Sequence, residues 1–238
     1  MRARKMPLAP DATMLRALKP DFKLLGLILR LGVPAGLQMV VASVAGIVVV
    51  GLVNRFGSNA TAAYGALNQV LNYVQFPAMS IGIATSIFGA QAIGARRQEQ
   101  LGAITRTALM MNLIITGALI ALAYLFSERL VALFITDPEV IDLTQHLLHI
   151  VLWAILPFGW GVVFSGMMRA SGMVYAPMAI ALAAILIIEL PGAIWLSQTD
   201  FGLSGIWIAY AASFTGMMLM QAAWYYFVWR RKDIVALV

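Results

Sequence analysis

Charge is scarce in this chain, and the scarcity excludes most soluble folds. Charged residues make up 11% of the 238, against roughly 25% in an ordinary soluble domain. With 62% hydrophobic residues and a mean hydropathy of +0.89, the chain reads as an integral membrane protein. Cysteine is absent, which removes a disulfide framework and any Cys-ligated metal site and leaves the redox compartment open. No nucleophile elbow, phosphate-cradling glycine loop, zinc protease motif or carboxylate pair at hydrolytic spacing occurs, so the chain is expected not to be an enzyme. The net charge of +6 could suggest nucleic acid as a partner. The positive residues, however, gather at the chain ends and in short loops, where orientation in a membrane accounts for them, and nucleic acid is excluded. Residues 1–30 hold no clean apolar core of secretory length, so no cleaved leader is expected and the chain should begin inside the cell.

What is abundant is apolar run length. About 20 residues at 1.5 Å rise cross the hydrocarbon core, and six stretches qualify, near 32–53, 66–92, 107–126, 147–168, 174–197 and 203–229. The expectation is an all-α, polytopic bundle of six transmembrane helices over 31–231. It should be preceded by a cytoplasmic segment, 1–30, with an interfacial helix, and followed by a cytoplasmic tail, 232–238. In that first segment Asp21 is a plausible N-cap of DFKLLGLILR, a helix expected to lie at the surface and turn into the first span at Gly32 and Pro34. Seven Lys or Arg precede the first span; Arg96, Arg97, Arg106, Arg169, Arg230, Arg231 and Lys232 fall on the same side. The other side has Arg55 and Arg129 with Glu128, Asp137, Glu139, Asp142 and Asp200. The positive-inside rule therefore puts both termini in the cytoplasm.

Between the spans, ITDPEV carries a helix start: Asp137 caps, Pro138 takes the first helical position and Glu139 favours the positive end. Small residues at packing spacing, Gly32 with Gly36, Ala42 with Gly46, Gly82 with Ser86 and Gly161 with Ser165, mark faces where backbones can approach. Asp142, His146 and His149 share a helix face at metal-ligand spacing, but a third strong ligand and an open position are missing, so a solvated helix end is the expectation and no metal.

Polar side chains inside the spans point to a wet interior. Tyr64, Asn68, Asn72, Gln75 and Met79 recur on one face of the second span. Amides cannot face lipid unpaired, so the stripe either lines a cavity or bonds to neighbouring helices. Gln38, Ser43 and Asn112 are lone polar residues suited to helix packing, and Gln38 is also a candidate for the lining. In the fourth span Trp153, Pro157, Trp160 and Phe164 form an aromatic stripe able to hold a planar cation or simply to pack. The 14 Met residues would suit a pocket that repacks around varied ligands, or serve as apolar filler.

Glu189, in IIELPGAIWL, is the one acid within the spans, and no Lys or Arg shares its depth. If the fifth helix runs from Tyr175 to Ser197, Glu189 lies about 4.5 Å from the bilayer centre. Desolvation of a carboxylate without a countercharge favours taking up a proton, so Glu189 is a candidate proton or cation carrier. Pro191 leaves the Ile187 carbonyl without its helical donor and puts a kink beside it. A permanently protonated Glu189 bonded to a neighbouring helix is the alternative.

Four stretches carry a family resemblance: LGVPAGLQ at 31–38, FGAQAIGARRQEQLGAITR at 88–106, LFITDPEVI at 133–141 and SGMMRASG at 165–172. They resemble the second half of the multidrug and toxic compound extrusion (MATE) transporters, from Asp21 to Lys232. The resemblance implies a secondary antiporter, or half of one, that exports organic cations in exchange for protons or sodium by alternating access. It implies two six-helix bundles around a central cavity, so a second lobe, either the N-terminal half or another copy, should be a partner alongside membrane lipid. The coupling ion would be the only cofactor, and the location a bacterial inner membrane. The sodium-coupled branch of the family keeps acids in helices seven and ten, and the matching spans here have none; another branch relies on an Asp in helix one, outside this chain. Two further readings stand beside it. A lipid-linked precursor flippase would need cationic cavity residues, and Lys and Arg are short inside the spans; a non-transporting fragment or scaffold would need no cavity at all.

Overall fold

In lipid a lone backbone segment satisfies its own N–H and C=O groups only as a helix, and the apolar runs obey. The computed structural model describes residues 22–231, the side chains of residues 23 and 24 excepted. It has six helical spans: Leu25–Phe56, Ser58–Gly94, Gln98–Leu125, Pro138–Ala170, Tyr175–Leu196 and Gly202–Arg231. No strand occurs among the described residues. The chain is a multi-pass membrane protein. Many of its large apolar side chains are exposed, with Ile47, Ile114 and Ile187 all more than 60% exposed, as a lipid-facing surface requires.

Several spans begin earlier than the apolar runs do, because polar turns continue the helices past the oily stretch. The fourth shows how. Asp137 has extended backbone (φ −77°, ψ 118°) and its carboxylate accepts from the Glu139 N–H at 3.0 Å, with Pro138 in the first turn, as the capping pattern predicted. Asp137→Ala should cost about 1 kcal/mol, read as a lowered melting temperature in detergent; no shift would mean the helix start is held by packing alone. At the chain's start the expectation needs correction. The helix runs without a break from Phe22 through Gly32 and Pro34 to Val53, so the separate surface helix turning at those residues is instead continuous with the first span. Residues 1–21, Asp21 among them, and the tail 232–238 lie outside the described residues.

The fourth span is the centre of the bundle, packing most extensively against the second and sixth and also against the third. It is interrupted by a tighter turn at Leu152–Ala154, next to the carbonyl of Trp153 that Pro157 cannot serve. Its contact with the second span depends on glycine. A Cβ on Gly166 would strike the backbone carbonyl of Gly82, and one on Gly82 would strike the Val162 side chain and lie 3.1 Å from its carbonyl. Gly161 approaches the sixth span at the Met218 backbone. By contrast a Cβ added at Gly32, Gly36 or Gly46 would meet nothing of another element within 4 Å, so the packing role expected for them in the first span is not realised among the described residues. That span packs along the start of the fifth, Tyr175–Ala183, and at its far end, where Val49, Leu52 and Val53 meet Ala60, Ala193, Ile206 and Ala209.

Candidate functional site

The loosely packed first span leaves a groove against the second, fourth, fifth and sixth. The groove holds two adjoining cavities that share Gln38, Phe158, Ala181 and Met217. One, about 240 Å³, contains Glu189 together with Tyr64, Asn68 and Gln75. The other, about 370 Å³, contains Met79, Ser86, Ser165, Arg169 and Gln221.

Glu189 sits at the end of a π-helical turn, Ala184–Glu189, that divides the fifth span into Tyr175–Ala183 and Leu190–Leu196. The missing N–H of Pro191 was expected to produce a kink; the helix answers with one widened turn just before it. Glu189 is buried, and its polar contact is the buried Ser213 of the sixth span, whose Oγ lies 3.4 Å from Oε2 and 3.1 Å from the Ala184 carbonyl. A hydroxyl has one hydrogen for these two acceptors. Tyr64 and Tyr210 are the other titratable groups on this lining, and among the described residues Glu189 is its only charged one.

The cavity's aromatic wall comes from an unexpected place. Tyr64 stacks near Trp207 (5.6 Å between ring centroids), which meets Tyr210 (6.0 Å), then Phe214 (4.6 Å), then Phe158 (4.7 Å). Trp207, Tyr210, Phe214 and Met217 recur at i, i+3, i+7 and i+10 on the sixth span, all on this lining; that spacing was legible as one helical face.

The expected stripe of the fourth span does not join them. Trp160 donates its indole N–H to the Leu109 carbonyl at 3.3 Å, Phe164 packs on Tyr225 and Tyr226, and Trp153 is 49% exposed away from both cavities. Trp153 and Trp160 are therefore removed from the lining set, and Phe158, on the opposite face of the same helix, replaces them. Asn72 is also corrected: it is exposed and lines neither cavity, whereas Asn68 turns its amide N–H to the Tyr64 carbonyl at 2.8 Å. Asn112 is fully buried against Gly159 of the fourth span, with neither amide atom hydrogen-bonded, so the glue expected of it is contact rather than a bond. His149 lies 3.1 Å from the Ser127 hydroxyl and His146 3.4 Å from that of Ser204.

Arg169, counted in the sequence only as a loop charge, faces the groove and donates to Gln38 Oε1 at 2.9 Å. It falls within the SGMMRASG stretch at 165–172, whose resemblance gave this arginine no role; the packing of the fourth span places it on the groove.

Comparisons with known proteins agree with this architecture. The MatE family model matches residues 34–195. The chain is 46% identical over its whole length to the probable multidrug resistance protein YoeA of Bacillus subtilis (strain 168), covering 52% of that protein. It is 28% identical over 94% of its length to the multidrug resistance protein MdtK of Proteus mirabilis (strain HI4320), covering 50% of it. Among solved structures, the Vibrio cholerae MATE transporter VcmN superposes with a TM-score of 0.83 at 16% identity, over 91% of this chain and 49% of that one. The chain thus spans about half the length of the relatives it matches.

Proposed function

We propose that this chain, which belongs to the MATE family of multidrug transporters, supplies one lobe of a secondary antiporter that exports organic cations in exchange for protons by alternating access. The second lobe is a further six-helix bundle, facing the groove that the first span leaves open. The positive-inside count supports cytoplasmic termini in a bacterial inner membrane. The observation that carries the reading is the cavity in which Glu189 is the sole charge, among the described residues, between aromatic walls. A flat cation gains from both: the carboxylate supplies the countercharge, and the rings of Tyr64, Trp207 and Tyr210 add about 0.5–2 kcal/mol of cation–π attraction. Proton and cation then compete for one acid, which is the elementary requirement of exchange.

Ser213 gives the proton a structural consequence. An ionised Glu189 draws the Ser213 hydrogen to itself. A protonated Glu189 donates to Ser213 Oγ and releases that hydrogen for the Ala184 carbonyl. Ala184 and Glu189 are the two ends of the π turn, so loading the acid rewrites the bonding of the turn and biases the helix beside Pro191.

The test is efflux of rhodamine 123 from proteoliposomes containing both lobes under an imposed pH gradient. Gradient-driven efflux is expected; efflux that follows a sodium gradient and ignores pH would overturn the proton assignment. Ser213→Ala should leave dye binding within about twofold and slow gradient-driven efflux roughly tenfold, the worth of one hydrogen bond in a barrier. Unaltered efflux would remove Ser213 from the coupling.

A further inference from the structure

We infer that the Arg169 end of the groove is a binding site for an anionic group, a carboxylate or a phosphate, carried on an otherwise apolar molecule. This goes beyond cation export and does not rest on Glu189. Arg169 lies in the last turn of the fourth span, half-buried, on a cavity of about 370 Å³. Its guanidinium spends one N–H on Gln38 Oε1 at 2.9 Å. No acidic residue lines that cavity among the described residues. The helix's C-terminal carbonyls tolerate a cation there, but they leave the remaining N–H donors of the planar fork unused, and that fork matches a carboxylate or phosphate in two parallel bonds.

The surroundings are those of a ligand site rather than of a lone surface charge. Met79, Ile83 and Phe158 give apolar walls, and Ser86 and Ser165 place hydroxyls on the same lining. Gln221, 1% exposed, donates its amide to the Pro177 carbonyl at 3.2 Å while its Oε1 has no partner. A buried acceptor without a donor is costly, and a ligand bearing an N–H or O–H beside its anion satisfies it. Because this cavity adjoins the Glu189 cavity through Gln38, Phe158, Ala181 and Met217, the groove is polarised along its length. The carboxylate stands at one end and the guanidinium at the other. The fitting class is an amphoteric molecule or an amphipathic anion, and the cationic side chain expected to be missing for a lipid-phosphate carrier is present after all.

A matched pair of dyes tests this. Rhodamine 110 has a free carboxylate, and rhodamine 123 is its methyl ester. With the chain in phosphatidylcholine nanodiscs, fluorescence titration should show rhodamine 110 binding about tenfold more tightly than the ester. Arg169→Gln should erase that preference while moving rhodamine 123 less than twofold. Where the Gln variant does not give monodisperse protein, Arg169→Lys serves: a point charge replaces the fork, and the preference should shrink without vanishing. Equal affinities for the two dyes, or an undiminished preference in both variants, would overturn the site. Adding phosphatidylglycerol to the discs separates the sources of the anion. Loss of rhodamine 110 binding in the unsubstituted chain, with no change in Arg169→Gln, assigns the site to a lipid phosphate; an unaffected preference assigns it to a soluble anion. Both results support an anion site.

Discussion

Glu189→Gln is expected to reduce gradient-driven dye efflux by the proposed two-lobe antiporter to the level of empty liposomes, and to remove any drug resistance which that assembly gives a sensitive bacterium. The amide keeps the size of the side chain and can still hydrogen-bond Ser213, so the cavity and the π turn should survive. What it cannot do is lose and regain a proton or balance a cationic guest. Burial within a span makes the acid expensive to keep unless it works, and among the described residues no basic side chain on its cavity offsets its charge. The variant should therefore express and melt like the parent, or slightly higher, since a buried ionisable group has been replaced by a neutral one. Undiminished efflux from a well-folded Glu189→Gln protein would leave the carboxyl with a packing role only.

Gly166→Val should be the most damaging change to the fold. A first side-chain atom on Gly166 meets the carbonyl oxygen of Gly82, and backbone cannot move aside as a flexible side chain can. Separating the second and fourth spans would disturb the largest contact in the bundle and displace Ser86, Ser165 and Arg169, which stand beside it on the groove. Overpacking in a tight core costs about 1–3 kcal/mol or more, enough to empty the monodisperse peak in detergent chromatography. Gly36→Val is the control. With nothing within 4 Å of that position, the isolated chain should tolerate it, and equal losses at both glycines would mean the crossing is not the constraint.

The two predictions also mark what was legible. Six spans and their order follow from apolar run length, because lipid accepts nothing else. Their ends do not, since capping turns such as the one at Asp137 carry helix beyond the hydrocarbon. Glu189 was legible as an isolated acid at depth; Ser213 was not, because an ordinary serine gains meaning only from the helix it faces. The polar stripe on the second span is one residue wider than the cavity lining. Asn72 lies about 80° around the helix from Tyr64, far enough to leave the cavity while Asn68 and Gln75 stay. On the fourth span the period was right and the direction wrong: Trp160 and Phe164 do share a face, but sequence cannot say which neighbour that face meets. Glycine pairs were similarly ambiguous. Gly82 finds its partner, and the glycines of the first span look out on the groove side or lipid with none.

The Glu189 cavity is expected to open to water between the two proposed lobes, and the absence of cysteine makes that directly measurable. A single Gln75→Cys in the two-lobe assembly should react with a membrane-impermeant maleimide, and rhodamine 123 should slow the reaction. Ile187→Cys, on the lipid-facing side of the Glu189 helix, should stay unlabelled. Silence at Gln75→Cys under every gradient, or labelling at both positions alike, would contradict the account.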